Sequence, residues 1–264
     1  MSQVSLLAHQ FAFDQRRFWR DSPGLFYALA FPLLFLAVFA AVLVGSEENG
    51  VIAGREVDNS VYYFAAVLTM GLVSVNMVNL CVSVSGSRER GLLKRLRATP
   101  LPPWVFFAGR IGTSVFATLI LIVVTSLVGG LVYGVPLRLG SVLGVVITLL
   151  ASTGCFCSLG IALTVLTRGE GAAAALANLV AFPLFFISGL FVRNDIIPAA
   201  VQRVADFFPV KHAFAAFALA LDPGSTGLGL HWSDLGVVVQ STWASTSSAP
   251  LGTSLTALPL FWMK

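Results

Sequence analysis

Few side chains of this 264-residue chain have the types and the spacing that covalent or metal chemistry needs. The three cysteines all lie inside apolar runs, where cysteine usually serves as a small packing residue: Cys81, Cys155 and Cys157. Cys155 and Cys157 lie about 200° apart around a helix, so their thiols would not share a metal ion. The three histidines lie outside the apolar runs and far apart in sequence: His9, His212 and His231. We expect neither a metal site nor a disulfide framework.

The chain also lacks the loop with which many ATPases hold their nucleotide. That loop reads Gly-x-x-x-x-Gly-Lys-Ser/Thr, and its lysine follows a glycine. The lysines are Lys94, Lys211 and Lys264, and none of them follows a glycine. We therefore expect this chain to bind no cofactor and to be no enzyme by itself.

The most informative residues form a basic segment between two apolar runs. It reads Arg-Glu-Arg-Gly-Leu-Leu-Lys-Arg-Leu-Arg-Ala-Thr-Pro over residues 88–100. Gly91 permits a break in the backbone, and Pro100 stops a helix. Leu92, Leu93 and Leu96 have the spacing of one helical face, with the basic residues on the other side. The pattern predicts a short amphipathic helix over 88–98.

Two interpretations of this helix are open. In the first it is a positively charged loop whose leucines contact lipid headgroups. In the second it is a docking helix for a cytoplasmic protein. Burial of three leucines would then contribute about 1.5–3 kcal/mol each, and the arginines would add orientation.

The elements that must hold this helix are apolar enough to cross a membrane. Apolar residues make up 57% of the chain and charged residues only 11%, against about 25% charged in soluble domains. The mean hydropathy is +0.88. A crossing helix needs about 20 apolar residues. The predicted spans are about 25–44, 60–84, 106–133, 139–166, 171–192 and 235–260. The sixth would insert poorly, because residues 240–249 are polar and Pro250 follows them.

The distribution of charge predicts how the chain lies in the membrane. Residues 1–24 alternate aromatic and basic side chains, as in an amphipathic helix at the membrane surface. Basic residues concentrate there and in 88–98, whereas the loop from Glu47 to Asp58 is acidic. Basic loops face the cytoplasm, so we expect the N-terminus inside. The net charge of +4 reflects this topology, and no basic stripe of the kind that binds nucleic acid occurs.

Polar residues near the spans suggest two further sites. Asn76 and Asn79 are three apart on one face of the second span, where they could hydrogen-bond another helix or line a translocation path. Residues 195–221 mix apolar and polar side chains and contain Pro198 and Pro209. They predict short extracellular helices that re-enter the membrane.

The basic segment resembles the signature loop of ABC-2 type permeases. In that family the loop forms a coupling helix that sits in a groove of a separate ATPase subunit. Carried over to this chain, the resemblance implies ATPase docking through Arg88, Glu89, Gly91, Leu92, Leu93, Lys94, Arg95, Leu96, Arg97, Thr99 and Pro100.

Two later stretches, 182–191 and 204–213, also resemble the family. There the segment after the fifth span helps to gate the outer mouth of the transporter. The resemblance implies an outer gate made by Ser188, Gly189, Phe207, Phe208 and Pro209. It covers roughly residues 1–235, and the Ser/Thr-rich residues after Val239 depart from the clean apolar sixth span of family members.

The resemblance implies an all-α membrane protein, with a six-helix bundle of the ABC-2 (type V exporter-like) kind over 25–264. Its partners would be a cytoplasmic ABC ATPase, which carries ATP and Mg²⁺, and a second copy or a homologous permease. The expected function is export of a drug, an antibiotic or a lipid-like compound across the plasma (inner) membrane. Export of a polysaccharide or lipid-linked glycan, or an ATP-independent carrier or scaffold, are the alternatives.

Overall fold

The computed structural model describes residues 3–20, 25–26, 30–43, 50–52, 55–97, 103–133, 142–192, 197–222 and 232–247. These residues form helices and one short hairpin. The helices are α1 (Gln3–Arg20), α2 (Phe31–Leu43), α3 (Asn59–Glu89), α4 (Leu92–Arg97), α5 (Pro103–Tyr133), α6 (Val142–Leu163), α7 (Glu170–Ile187), α8 (Ala199–Ala205), α9 (Pro209–Leu221) and α10 (Trp232–Ser247). The strands β1 (Gly50–Ile52) and β2 (Arg55–Val57) pair antiparallel.

The prediction of an all-α membrane protein is confirmed. Among the described residues, four helices are long and apolar enough to cross a bilayer: α3, α5, α6 and α7. The pair α8 and α9 would add a fifth if taken together, although it bends by 92° between the two helices. Helices α2 and α10 comprise 13 and 16 described residues, and the spans predicted at 25–44 and 235–260 reach outside the described part of the chain. The total of six spans therefore stays a prediction.

Helix α3 is the centre of the bundle. It is apolar around its whole circumference, and most of its residues from Val61 to Leu80 are buried. It packs against α2, α5, α6, α7 and α9. On α9 alanines alternate with large side chains, and Phe214 and Phe217 fill the space beside α3. The core thus lies around one central helix rather than between two layers.

A π-helical segment, Ser74–Asn79, interrupts α3 at mid-length. Such segments shift the register of the helix and leave carbonyl groups less well paired. Helix α6 approaches closely here, since a Cβ atom on Gly160 would lie 2.8 Å from the carbonyl oxygen of Met77 and 2.9 Å from that of Asn76. The absence of a side chain at Gly160 therefore allows α6 to pack directly on the π segment.

The hairpin covers the opposite end of α3 from α4. Its strands are separated by residues 53–54, and Gly50 lies on the ring of Tyr62. The Tyr62 hydroxyl donates to the Gly189 carbonyl oxygen at 2.6 Å, and its ring packs edge-on against Phe214 at 5.0 Å. Gly189 has φ +87°, which favours glycine. This hairpin was not predicted, because Ala-Gly is not one of the usual two-residue hairpin turns and the second strand, Arg-Glu-Val, has only one β-branched residue.

The close approach at Gly160 can be tested with two glycines of the same helix. We expect Gly160→Ala to lower the free energy of unfolding by about 1–3 kcal/mol, because the new methyl group would meet backbone atoms that cannot move aside. Gly154→Ala is the matched control, since a Cβ atom there meets nothing within 4 Å and alanine favours helix. Thermal unfolding of the detergent-solubilised protein measures both. Equal melting temperatures for the two variants would contradict this packing.

Candidate docking site

A single tight turn connects helix α4 to the end of α3. Gly91 lies in that turn with φ +66°, where a residue with a side chain would be strained. The Arg95 amide donates to the Gly91 carbonyl oxygen at 3.2 Å, so the helix begins immediately after the turn. Lys94 and Arg95 are exposed to solvent. The break at Gly91 lies where the sequence pattern predicts it, but the helix predicted over 88–98 is shorter, because residues 88–89 continue α3 and residues 90–91 form the turn.

The leucines of α4 do not all face outward. Leu93 is half-buried and packs against a cluster of the chain's own side chains: Leu80, Val84, Phe106, Phe107 and Cys157, with Ile111 and Ile161 beside them. Leu92 is also half-buried. Leu93 therefore holds α4 against α3 and α5. The side chains of Leu96 and Arg97, and the residues Thr99 and Pro100, lie outside the described part of the structure.

Glu89 and Arg90 connect the base of α4 to the start of α7. A Glu89 carboxylate oxygen accepts from the Glu170 backbone amide at 2.8 Å, which satisfies one of the unpaired amides at the start of α7. Arg90 Nη1 lies 2.8 Å from Glu170 Oε2. This second contact is solvent-exposed and would contribute less than about 1 kcal/mol by itself. Its main effect is to add a second link between the same two segments.

The turn before α7 packs closely on α3 at the same level. A Cβ atom on Gly86 would lie 2.5 Å from Glu170 Oε2, so a side chain at this position would displace the Glu170 carboxylate from its present place. The hydroxyls of Ser85 and Thr167 share a buried hydrogen bond of 2.8 Å. The end of α3 that carries α4 is therefore joined to α7 through Glu89, and α4 itself contacts α5 through Leu93.

A buried arginine lies behind this assembly. Arg110, in the second turn of α5, has only 6% of its side chain exposed. Its Nε atom lies 3.3 Å from Asp14 Oδ1 of α1. Its other nitrogens donate to two serines of α3, Ser83 and Ser87, the latter at 3.0 Å. Its guanidinium also lies over the Phe106 ring, 5.3 Å from the centroid.

Asp14 is the fully buried partner of this arginine. Gln10 donates to its Oδ2 at 2.9 Å. Burial raises the pKa of the Asp14 carboxyl, and the guanidinium of Arg110 acts against that rise. Because two charges removed from water are stabilised mainly by each other, either one alone would be strongly unfavourable. The ion pair thus joins α1 to α5 by a contact that cannot be broken at low cost.

Glycines of α5 complete the contact with α1. Gly109 lies against Gln10, and Gly112 lies against the ring of Phe11. Arg17 donates to Ser87 at 3.1 Å. The amphipathic helix predicted over 1–24 is therefore packed on the bundle along one face as well as being suited to a membrane surface.

The ion pair was missed at the sequence level. Arg110 falls near the start of the third predicted span, 106–133, and the sequence pattern assigns it no partner. Two signals point to the pair: a single arginine inside an apolar run, and a single aspartate on the face of α1 that also carries Phe11 and Phe18. Ionisable residues in such positions usually pair with one another.

The two asparagines of α3 have different surroundings. Asn76 is fully buried, and its amide nitrogen donates to Thr118 Oγ1 of α5 and to the Leu72 carbonyl oxygen, each at 3.0 Å. This is a helix–helix hydrogen bond, the first of the two alternatives for this pair. Asn79 is half-buried and lines a cavity of about 30 Å³ that also reaches Asp14 and Arg110.

The predicted outer-gate residues lie in two segments, one just after α7 and one between α8 and α9. Ser188 and Gly189 end α7, and both are buried. Phe207 and Phe208 form the bend between α8 and α9, with 83% of Phe207 exposed, and Pro209 starts α9. An exposed phenylalanine of this kind suits a lipid or protein contact.

His212 connects α9 to α10. Its Nδ1 lies 2.8 Å from Asp234 Oδ1, and its Nε2 lies 2.8 Å from the Asp206 carbonyl oxygen. Both neighbours accept hydrogen bonds, so a ring protonated on both nitrogens satisfies both. Within the described residues, no group of three or more His, Cys, Asp or Glu side chains is placed to hold a metal ion.

Comparison with protein families identifies one match. A family model described as ABC-2 type transporter matches residues 6–221, which is most of the chain. The match begins in α1 and ends with α9, so α10 lies beyond it. No curated protein matches the chain.

The buried ion pair makes a quantitative prediction. We expect Arg110→Leu to destabilise the protein by about 3–5 kcal/mol, because Asp14 would stay buried without an opposite charge. In the double variant Asp14→Leu with Arg110→Leu we expect much of that loss to be recovered, since both charges are removed together. Melting temperatures of the four proteins, measured in the same detergent, give the coupling between the two residues. Additive effects of the two substitutions would show that the charges do not depend on each other.

Proposed function

Because the chain belongs to the ABC-2 type transporter family, we propose that it exports an amphipathic compound with the help of an ATPase carried by a separate subunit. Members of the family are membrane-spanning permease subunits of ABC transporters, and the four crossing helices fit that role. The observation that carries the proposal is the short cationic helix α4, exposed on one side and joined to the bundle on the other.

The exposed side of α4 supports docking to a cytoplasmic protein. Lys94 and Arg95 present two positive charges on a helix that Gly91 and Leu93 hold in one orientation. Such charges steer a partner and set its orientation more than they add affinity. Leu92, which is half-buried, would also contact the ATPase.

The contacts of α4 and of the turn before it with the rest of the bundle support the transfer of motion into the crossing helices. Closure of an ATPase dimer would displace α4. Glu89 and Arg90 would transmit the displacement to α7, and Leu93 would transmit it to α5. The N-terminus would lie in the cytoplasm, on the same side as α4.

The surface of the bundle supports pairing with a second permease. Large apolar side chains are exposed on the crossing helices, including Leu127, Leu150, Leu179 and Phe186. Lipid or a second copy, or a homologous permease, would cover them. A path between two permeases would have apolar and hydroxyl-bearing walls, which suits a drug, an antibiotic or a lipid-like compound. Asn79 would line that path, and Ser188, Gly189 and the Phe207–Pro209 bend would form its outer gate.

Docking can be tested with residues that are exposed in the permease. We expect Lys94→Glu with Arg95→Glu to weaken association with the ATPase about tenfold, because both charges at the rim are reversed. The ATPase is first identified as the Walker-motif protein that co-purifies with the tagged full-length chain. Binding and stimulation of ATP hydrolysis are then measured in nanodiscs.

The control for this pair is Arg203→Glu, an exposed arginine on α8. Leu93→Asp is informative in a different way, since it should lower the melting temperature by detaching α4 from its own bundle. Full binding and stimulation by the Lys94/Arg95 variant would contradict docking through α4. Transport that continues in vesicles without ATP would favour an ATP-independent carrier instead.

Orientation has a separate test. The native cysteines are all buried, so a new surface cysteine is the main site for a membrane-impermeant maleimide. We expect Lys94→Cys to react only after permeabilisation of the cells, and Arg203→Cys to react in intact cells. Labelling of Lys94→Cys in intact cells would place α4 outside, and the coupling role would then fail.

A further inference from the structure

One side of α1 forms a groove of about 610 Å³ with the ends of α3 and α7. It is lined by Phe13, Arg16, Arg17, Arg20, Arg90 and Glu170. Four guanidinium groups thus meet one carboxylate in a single open cavity. Arg90 and Glu170 are paired with each other, which leaves an excess of positive charge on the α1 side.

The arginines of α1 are available to a ligand to different degrees. Arg17 is half-buried and donates to Ser87. Arg16 and Arg20 are exposed, and neither has a hydrogen-bond or ion-pair partner among the residues that the structure describes. They are four positions apart, so they lie on one face of the helix and reach the same space. An anion in the groove would meet two available guanidiniums with a third beside them.

The side chains around the groove are of the kinds found at the level of lipid headgroups. The inward face of α1 packs on the crossing helices, and Phe18 contacts Val75 and Ala117 within them. The arginines are flanked by exposed aromatic side chains, Phe13 (56% exposed) and Trp19 (43% exposed). Aromatic rings beside basic residues are typical of the membrane–water interface.

We propose that this groove binds the phosphate of an anionic phospholipid from the adjacent leaflet. Arginine donates paired hydrogen bonds to phosphate oxygens, and basic pockets between membrane helices are suited to anionic headgroups. Phe13, which lines the groove, contacts the glycerol and the upper part of the acyl chains. The bound lipid neutralises Arg16 and Arg20, and it bridges α1 to the same end of α3 and α7 that carries α4.

The test is lipid binding to the purified full-length chain, without any ATPase, so its outcome does not depend on the transport proposal. Native mass spectrometry of the delipidated protein follows titration with phosphatidylglycerol, with phosphatidylcholine of the same chains, and with inorganic phosphate. We expect tighter binding of phosphatidylglycerol than of phosphatidylcholine. Arg16→Gln with Arg20→Gln should weaken phosphatidylglycerol binding roughly 25-fold, at about five-fold for each arginine.

The matched control is Arg168→Gln with Arg203→Gln, which removes two exposed arginines that do not line the groove. It should bind phosphatidylglycerol as the unaltered chain does. Equal binding of the two phospholipids, or unchanged binding by the Arg16/Arg20 variant, would overturn the proposal. Full competition by inorganic phosphate would also overturn it, in favour of a site for a free anion. Photo-crosslinking from position 16 in native membranes that yields a protein adduct in place of a lipid adduct would assign the groove to a protein partner instead.

Discussion

The ion pair between Arg110 and Asp14 is the contact on which the cytoplasmic end of this bundle depends. An arginine inside an apolar helix has to be surrounded by acceptors, because an unpaired charge away from water is very unfavourable. Its acceptors come from α1 and α3, while its own backbone belongs to α5. The contacts of the Arg110 guanidinium therefore fix the relative positions of three helices. Phe106 packs against this guanidinium, and Leu93 packs in the same cluster as Phe106.

Helix α3 extends this constraint to the other end of the molecule. At one end Glu89 joins it to the start of α7, and at the other Tyr62 joins it to Gly189 just past the end of α7. Helices α3 and α7 are thus connected at both ends. Between them, the π segment receives α6 at Gly160. Because α3 and α7 are connected at both ends, we infer that a displacement of α4 would move these helices together and would not bend one of them.

The parts of this structure that could be predicted are those marked by a strong local pattern in the sequence. Charge-free apolar runs revealed the crossing helices α3, α5, α6 and α7, and the glycine, leucine and arginine spacing of residues 88–98 revealed α4. The pattern could not show that Leu93 packs on its own chain, because an apolar face on a short helix suits either its own bundle or a partner. The π segment and the Asp14–Arg110 pair arise from contacts between distant segments. The hairpin was missed because its strands are only three residues long and its turn carries no Asn-Gly or Asp-Gly pair.

The contacts of Glu89 and Arg90 with Glu170 have a consequence for how this sequence can change over time. Residues about 80 positions apart share one capping contact and one ion pair, and the absence of a side chain at Gly86 leaves space for the Glu170 carboxylate. A substitution at position 170 would remove the partner of Arg90 and alter the space beside Gly86. Positions 86, 90 and 170 should therefore vary together among homologous chains, as a correlated set that keeps the two segments joined while the surrounding apolar residues drift.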